Sequence, residues 1–259
     1  METRKTEAGR SALVGAATEN YNQQTQMKTK QPLTITARKF KAVIRRDPAW
    51  ALTLTESVEI TGYCNMRGSA ISHLSPLLHF TGANTESDAA SFASCHHLKV
   101  AEGTFDGFVN FSASGVEKIG NLQITAPNKK GAASFACCKN LKVAEGSFPG
   151  CVCFKESGIT RIGALNIVAP SECGFAADFF RCKALEKAEG TFPGCVDFAL
   201  SGIKKIGDLT ITHPHKNGIK AIFFGCDIRL PAEFLGPEYK MNDSTRQKNL
   251  KRIAAGIAL

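Results

Sequence analysis

The sequence predicts a repeat solenoid built on short parallel strands. Three observations carry that reading: long near-identical segments recur at a fixed spacing, short L-x-[VI] runs recur twice within each, and Phe and Cys return at matching places. The clearest copies are LKVAEGTFDGFVNFSASGVEKIGNLQITAP from Leu98, LKVAEGSFPGCVCFKESGITRIGALNIVAP from Leu141 and LEKAEGTFPGCVDFALSGIKKIGDLTITHP from Leu185, with starts 43 and 44 residues apart. A unit of that size with one short strand per turn cannot bury its apolar side alone, so copies must stack and share a core.

In chain order, residues 1–31 (METRKTEAGRSALVGAATENYNQQTQMKTKQ) come first. They are polar, rich in Thr, Gln and Ala, and read as a flexible basic tail. A tail without a role and a secretion signal both fit this composition. The opening METRKTEAGR has no apolar stretch ahead of a cleavage site, so no Sec signal peptide is expected.

The solenoid is expected over 32–237. Within the 44-residue unit, L-x-[VI] runs fall at Leu98, Leu122, Leu141, Leu165, Leu185, Leu209 and Ile228, in steps of 24, 19, 24, 20, 24 and 19 residues. Extended backwards, the rule finds Leu77, Leu52 and Leu33, which makes about ten coils. LTITARKFKAVIRRDPAWALTL then reads as a degenerate turn parallel to LTITHPHKNGIKAIFFGCDIRL. In each run the outer residues should point inward and the middle one outward. The F-x-x-C and F-x-G-C motifs should place Phe92, Phe105, Phe135, Phe148, Phe179, Phe192 and Phe223 in a buried column opposite the strands, with Cys where the chain turns back. Gly103, Gly115, Gly120 and their copies mark tight turns, with positive φ as one reason for glycine. Residues 238–259 should end the stack. From Asp243 or Ser244 as N-cap, Leu250, Ile253, Ala254 and Ile257 form the apolar stripe of a capping helix.

Charge and cysteine usage narrow the classes. The net charge is +9, but residues 1–46 carry ten Lys/Arg against three Glu, 238–259 carry five against two acids, and 47–237 carry seventeen against eighteen. The basic character belongs to the ends, so a nucleic-acid-binding body is disfavoured. No run of eighteen apolar residues predicts a membrane span. The ten cysteines include no C-x-x-C pair and several sit at one repeat position, a pattern of reused small apolar residues that implies reduced thiols and a reducing compartment.

Chemistry finds little support in these residues. Cys95-His96-His97 and His213-Pro214-His215 lack the convergent spacing of a zinc site. Cys137-Cys138 and Cys151-x-Cys153 each include a repeat cysteine. Glu102, Glu145 and Glu189 recur in every copy, which suits a turn or ladder contact, and no phosphate-binding glycine loop is present. The reading is therefore non-enzymatic, with no cofactor and no metal.

The unit F-x-x-C-x-x-L with S-G-I-x-x-I-G (Ser157–Gly163, matched at Ser114 and Ser201) resembles the BspA-like, or treponemal-type, leucine-rich repeat over about 200 residues. The resemblance implies a leucine-rich-repeat-like horseshoe with a short parallel sheet and a role as an interaction module. The chain departs from the ordinary leucine-rich repeat by lacking L-x-x-L-x-L-x-x-N, so no asparagine ladder is expected and the convex side should be loops held by Phe and Cys. The outward stripe is Thr34, Thr53, Lys99, Gln123, Lys142, Asn166, Glu186, Thr210 and Arg229. Its members from Lys99 onward are the candidate partner-binding residues, with Lys99, Gln123 and Lys142 forming a polar or basic patch. The function expected is a protein–protein interaction scaffold, a bacterial effector or related secreted protein that is cytoplasmic or delivered into a host cell. Its partner would be a protein, host proteins included, and it would take no small-molecule substrate. A surface adhesin of the same repeat family and a polyanion binder using the basic ends are the alternatives.

Overall fold

A computed structural model describes residues 32–215 and 218–228. The basic tail 1–31, the helix expected at 238–259 and Arg229 lie outside the described residues. In chain order the elements are β1 (Leu33–Thr36), α1 (Ala37–Arg46), a 3-10 turn (Trp50–Thr53), β2 (Val58–Thr61), β3 (Cys64–Asn65), β4 (Leu78–Phe80), β5 (Asp88–Ser91), β6 (Val100–Phe105), β7 (Phe108–Asn110) and β8 (Lys118–Ile124). They continue with β9 (Ala133–Ser134), β10 (Val143–Phe148), β11 (Val152–Cys153), β12 (Arg161–Ile167), β13 (Phe175–Asp178), β14 (Lys187–Phe192), β15 (Cys195–Asp197), β16 (Lys205–Ile211) and β17 (Ala221–Ile222).

These strands pair in parallel, and they alternate between two sides of a solenoid-like repeat. One side holds β1-β2-β4-β6-β8 as a five-stranded sheet, followed by the pairs β10-β12 and β14-β16. The other holds an eight-stranded sheet running from β3 to β17. The second sheet corrects the expectation of a loop-only side. Its strands are two to four residues long and lie just before the Phe of each coil.

That arrangement separates two motifs that look alike in sequence. Phe92, Phe111, Phe135, Phe154, Phe179, Phe198 and Phe223 follow the second-sheet strands and stack in one continuous column, with ring centroids 5.2–5.6 Å apart and planes within 6–14° of parallel. Phe105, Phe148 and Phe192 instead end first-sheet strands and face that column from across the core. All seven phenylalanines expected to be buried are buried. Phe111, Phe154 and Phe198, which lack the F-x-x-C signature, complete the column.

Each column Phe opens a turn whose third residue is left-handed (Ser94, Ala113, Cys137, Glu156, Arg181 and Leu200 with φ of 56–60°, and Gly225 with 70°) and whose fourth is alternately Cys or Ser. Cys95, Cys138, Cys182 and Cys226 point their thiols at the carbonyl of the Phe or Met one coil back, at 3.0–3.1 Å. They also touch Ser69, Ser114, Ser157 and Ser201 at 3.4–3.5 Å. Cysteine and serine thus form one alternating polar ladder inside an apolar core, and no buried side-chain nitrogen or oxygen among the described residues lacks a partner.

A set of short side-chain caps lies beside this ladder. In Asn65, Asn110, Ser134, Asp178 and Asp197, the residue before the column Phe or Met accepts the backbone N–H two residues on, at 2.8–3.4 Å. This Asx-type cap holds the turn in place.

Counted between register-equivalent residues, the steps run 19 (Thr104 to Gln123), 24 (to Ser147), 19 (to Asn166), 25 (to Thr191) and 19 (to Thr210), and the long ones have a local cause. The chain passes from β6 to β7 through Asp106-Gly107 alone, but from β8 to β9, β12 to β13 and β16 to β17 through loops of seven to nine residues. At two of these long steps the first sheet breaks: β8 lies beside β10, and β12 beside β14, without backbone pairing. One continuous sheet was expected there; β4 and β6, whose connection also includes a seven-residue loop (81–87), do stay paired.

The glycines divide the same way. Gly103, Gly146 and Gly190 have φ of +105 to +110°, as anticipated, and sit at the bulge where each pair shifts register. Gly115 and Gly158 need no positive φ. A Cβ there would overlap the carbonyl oxygens of His96 and Lys139 in the coil before.

The first coil differs from the rest. Thr36 caps α1 by accepting the Lys39 N–H at 3.2 Å, Phe40 and Ile44 are buried one turn apart, and Asp47-Pro48 ends the helix. This helix was not anticipated, and Leu52, expected in a strand, lies in the 3-10 turn. Phe40 meets Trp50 and Phe80 edge-on at 6.0 and 5.7 Å, so α1 closes the core where β3 has no further strand beside it.

Candidate functional site

The outward side chains of the first sheet form the site. Strand register aligns Thr34, Glu59, His79, Thr104 and Gln123 across the five strands, then Ser147 with Asn166 and Thr191 with Thr210. From Thr104 onward this row carries no charge. Gln123, Ser147, Asn166, Thr191 and Thr210 are exposed, while Phe105, Ile124, Phe148, Ile167, Phe192 and Ile211 next to them in sequence are buried. Period-two alternation fixes this division, because a residue beside an inward side chain has to face water.

Lys99, Lys142 and Glu186 do not belong to that row. In the structure Gly103-Thr104-Phe105 pairs with Leu122-Gln123-Ile124, so the counterpart of Gln123 is Thr104 and Lys99 lies five residues earlier. Leu98 is buried in the preceding turn, its N–H donating to the Cys95 carbonyl at 3.1 Å. The expected Lys99–Gln123–Lys142 patch is therefore not assembled. Lys99 pairs with Glu117, and Glu186 pairs with Lys204 at 2.6 Å. The Lys142 ammonium donates to the Lys139 carbonyl at 3.2 Å. The Lys204 ammonium holds the Glu186 carboxyl below its ordinary value, and these residues form a mixed-charge border at the strand starts.

At the break between β12 and β14 the face opens into a cleft of about 500 Å³, lined by Leu165, Asn166, Ile167, Thr191 and Pro193 among others. Asn166 donates to the Ser147 hydroxyl at 3.0 Å, which leaves its carbonyl oxygen toward solvent. Val168, 67% exposed, follows directly. The stripe residue Asn166 lines this cleft, and Thr210 lies one strand beyond it, paired with Thr191. Thr191 and the break itself were not read from sequence, and only the alternating step lengths hinted at them.

Upstream, the row changes character. His79 Nε2 lies 3.0 Å from Asp106 Oδ1, and Thr125 donates to the same oxygen at 2.7 Å. Burial pushes the Asp106 carboxyl up, but the hydrogen bonds from His79 and Thr125 and the nearby imidazole outweigh it and hold the group below 3.8. Thr81 and Thr34 donate to the two oxygens of Glu59 at 3.0 and 3.4 Å. These contacts tie β1, β2, β4, β6 and β8 together on the outer side.

All ten cysteines are free. Burial pushes Cys64, Cys151 and Cys195 up to about 12 and Cys153 and Cys182 up to about 11. A thiol so protonated is a poor nucleophile and metal ligand. Among the described residues no three His, Cys, Asp or Glu side chains converge on a point that could hold a metal ion, and no helix is long and apolar enough to cross a membrane. No family model, curated protein or solved structure matches the chain.

Proposed function

We propose that this chain is a non-enzymatic interaction scaffold of the leucine-rich-repeat type, a horseshoe of about ten coils, which binds a protein partner across the outer face of its first sheet. The observation that carries this is the uncharged exposed row from Gln123 to Thr210 with the cleft at the β12–β14 break. A regular scaffold presents there a polar surface whose members differ from coil to coil, beside an inward row that stays apolar. Amide and hydroxyl side chains on a rigid sheet donate and accept hydrogen bonds without the desolvation cost of buried charge, and a cleft admits one anchoring side chain of a partner. The resemblance to BspA-like repeats supports the same class and favours an effector or related secreted protein.

The test is affinity capture from a candidate host lysate, identification of the captured protein, and titration of that purified protein against Asn166→Arg/Thr191→Arg. Loss of binding at least tenfold by a variant with parental circular dichroism is the expected result. Parental affinity in the folded variant would move recognition off this face.

A further inference from the structure

Helix α1 carries Arg38, Lys39, Lys41, Arg45 and Arg46 within ten residues and no acid. At 100° per residue Arg38, Lys39, Arg45 and Arg46 fill the side opposite Phe40 and Ile44, which are buried, and Lys41 lies at its border. Lys41 is half-buried and donates to the Asn65 carbonyl at 3.1 Å, and Arg67, two residues further on, is exposed. Arg38, Lys39, Arg45 and Arg46 are exposed and have no carboxylate partner among the described residues. Lys99, Lys130, Arg181, Lys187 and Lys204 in the body do have one. By count, charge balances along the body, where residues 47–237 carry seventeen Lys/Arg against eighteen acids, and stands unbalanced on the helix of the first coil.

Two further features say what that charge faces. The exposed side of α1 offers no aromatic ring to stack on a base and no carboxamide to read a base edge. Of the large apolar side chains that stand exposed, Leu33 at 56% and Leu52 at 61% bracket the helix in the chain. Cations for phosphate headgroups with leucines at either side are the combination that an anionic bilayer surface rewards, by electrostatic attraction and by transfer of apolar side chains into the interface.

We infer that the basic face of α1 docks the chain peripherally on an anionic phospholipid membrane. The docking is independent of the protein partner proposed above.

Co-sedimentation of the full chain with phosphatidylserine–phosphatidylcholine vesicles, against phosphatidylcholine alone, tests it. Binding should require phosphatidylserine and weaken with salt. Arg45→Ala/Arg46→Ala should lose roughly thirtyfold in partition, about fivefold for each cation near a charged surface. Arg38→Ala/Lys39→Ala should lose a similar factor, and both variants should keep parental circular dichroism because the side chains are exposed. Leu33→Ser/Leu52→Ser should bind vesicles more weakly and compete no differently for a duplex oligonucleotide. Equal binding to neutral vesicles, undiminished binding by both charge variants, or tighter binding to the duplex than to vesicles at one ionic strength would each overturn the inference.

Discussion

The two sheets share one core but are built to different rules. The second sheet is continuous from β3 to β17, and behind it run the stacked phenylalanines and the Cys/Ser ladder, repeated coil after coil with little variation in geometry. The first sheet has longer strands, yet it divides between β8 and β10 and between β12 and β14, and its outward row changes identity at nearly every coil. Shorter strands therefore make the more regular side. Regularity here comes from side chains that stack on their own copies one coil away, whereas the longer strands respond to whatever the corner loops add. The contrast places stability on the phenylalanine side and leaves the outer row of the first sheet as the face proposed for recognition.

Substitution in the column should break that contrast most severely. Phe154 sits between Phe135 and Phe179 with stacked contacts at 5.6 and 5.3 Å and is fully buried. Phe154→Ala leaves a cavity between coils that cannot collapse without shifting both neighbours, and should cost about 3–5 kcal/mol in urea denaturation. A loss under about 1 kcal/mol would show that the column is not what holds the stack. Next comes the thiol ladder. Cys182→Val keeps the volume but strands the buried Ser157 hydroxyl and leaves the Phe154 carbonyl with the Ser157 N–H alone, and should cost about 1–3 kcal/mol. Cys182→Ser, which restores a donor, should recover most of it. Equal losses would mean that packing alone sets the position.

Much of this was legible in the sequence, and the misses have physical reasons. The period, the parallel stacking and the burial of the Phe residues follow from self-similarity, because identical units have one way to share a core. Phe111, Phe154 and Phe198 escaped because their turns end in serine. A buried serine and a buried cysteine fill the same ladder position, but only the cysteine forms a conspicuous motif. The register of Lys99 was misjudged because Leu98-Lys99-Val100 and Leu122-Gln123-Ile124 both read as L-x-[VI]. Only three-dimensional pairing distinguishes a leucine plugging a turn from one inside a strand. Strands of two residues such as β9, β11 and β17 carry no period to detect. Helix α1 did have signals, in Thr36, the Phe40–Ile44 spacing and Asp47-Pro48, but alignment with the later repeats hid them.

The carboxylates of the two sheets should sharpen the comparison through pH. On the second sheet Asp178 and Asp197 are neighbours in register, and burial pushes both above 3.8, with Asp178 adding to the effect on Asp197. Cys153 and Lys155 face the same spot, the lysine drawing both carboxyls back down. A carboxyl raised by folding holds its proton better in the folded chain, so it favours folding at low pH and that gain fades as pH rises from 3.8 through the folded value. Asp106 on the first sheet works in reverse: its contribution is present above 3.8 and is lost as pH falls through its lowered value. Asp178→Asn keeps an oxygen for the Phe180 N–H and should be more stable than the parent at pH 8, with the gap closing toward pH 3. Asp106→Asn should be less stable than the parent at pH 8, again converging at pH 3. Urea midpoints at the two pH values decide it, and differences that do not change with pH would refute both assignments.

The smallest effect is expected on the proposed recognition face, and its smallness is the point. Asn166 is exposed, and the hydrogen bond it makes is to the Ser147 hydroxyl on the neighbouring strand. Water replaces that partner when the side chain is removed, since neither group is taken out of solvent, and the inward Leu165 and Ile167 keep their positions. Asn166→Ala should therefore shift the urea midpoint by no more than about 0.5 kcal/mol in stability. Thr191→Ala and Thr210→Ala, exposed on the paired strands beyond the cleft, should behave alike. Side chains that can change this freely are the ones a scaffold can vary to fit a partner without loosening the stack. A loss above about 1.5 kcal/mol at Asn166 would mean that the β10–β12 pair depends on its outer face for cohesion, and the division of labour between the two sheets would fail.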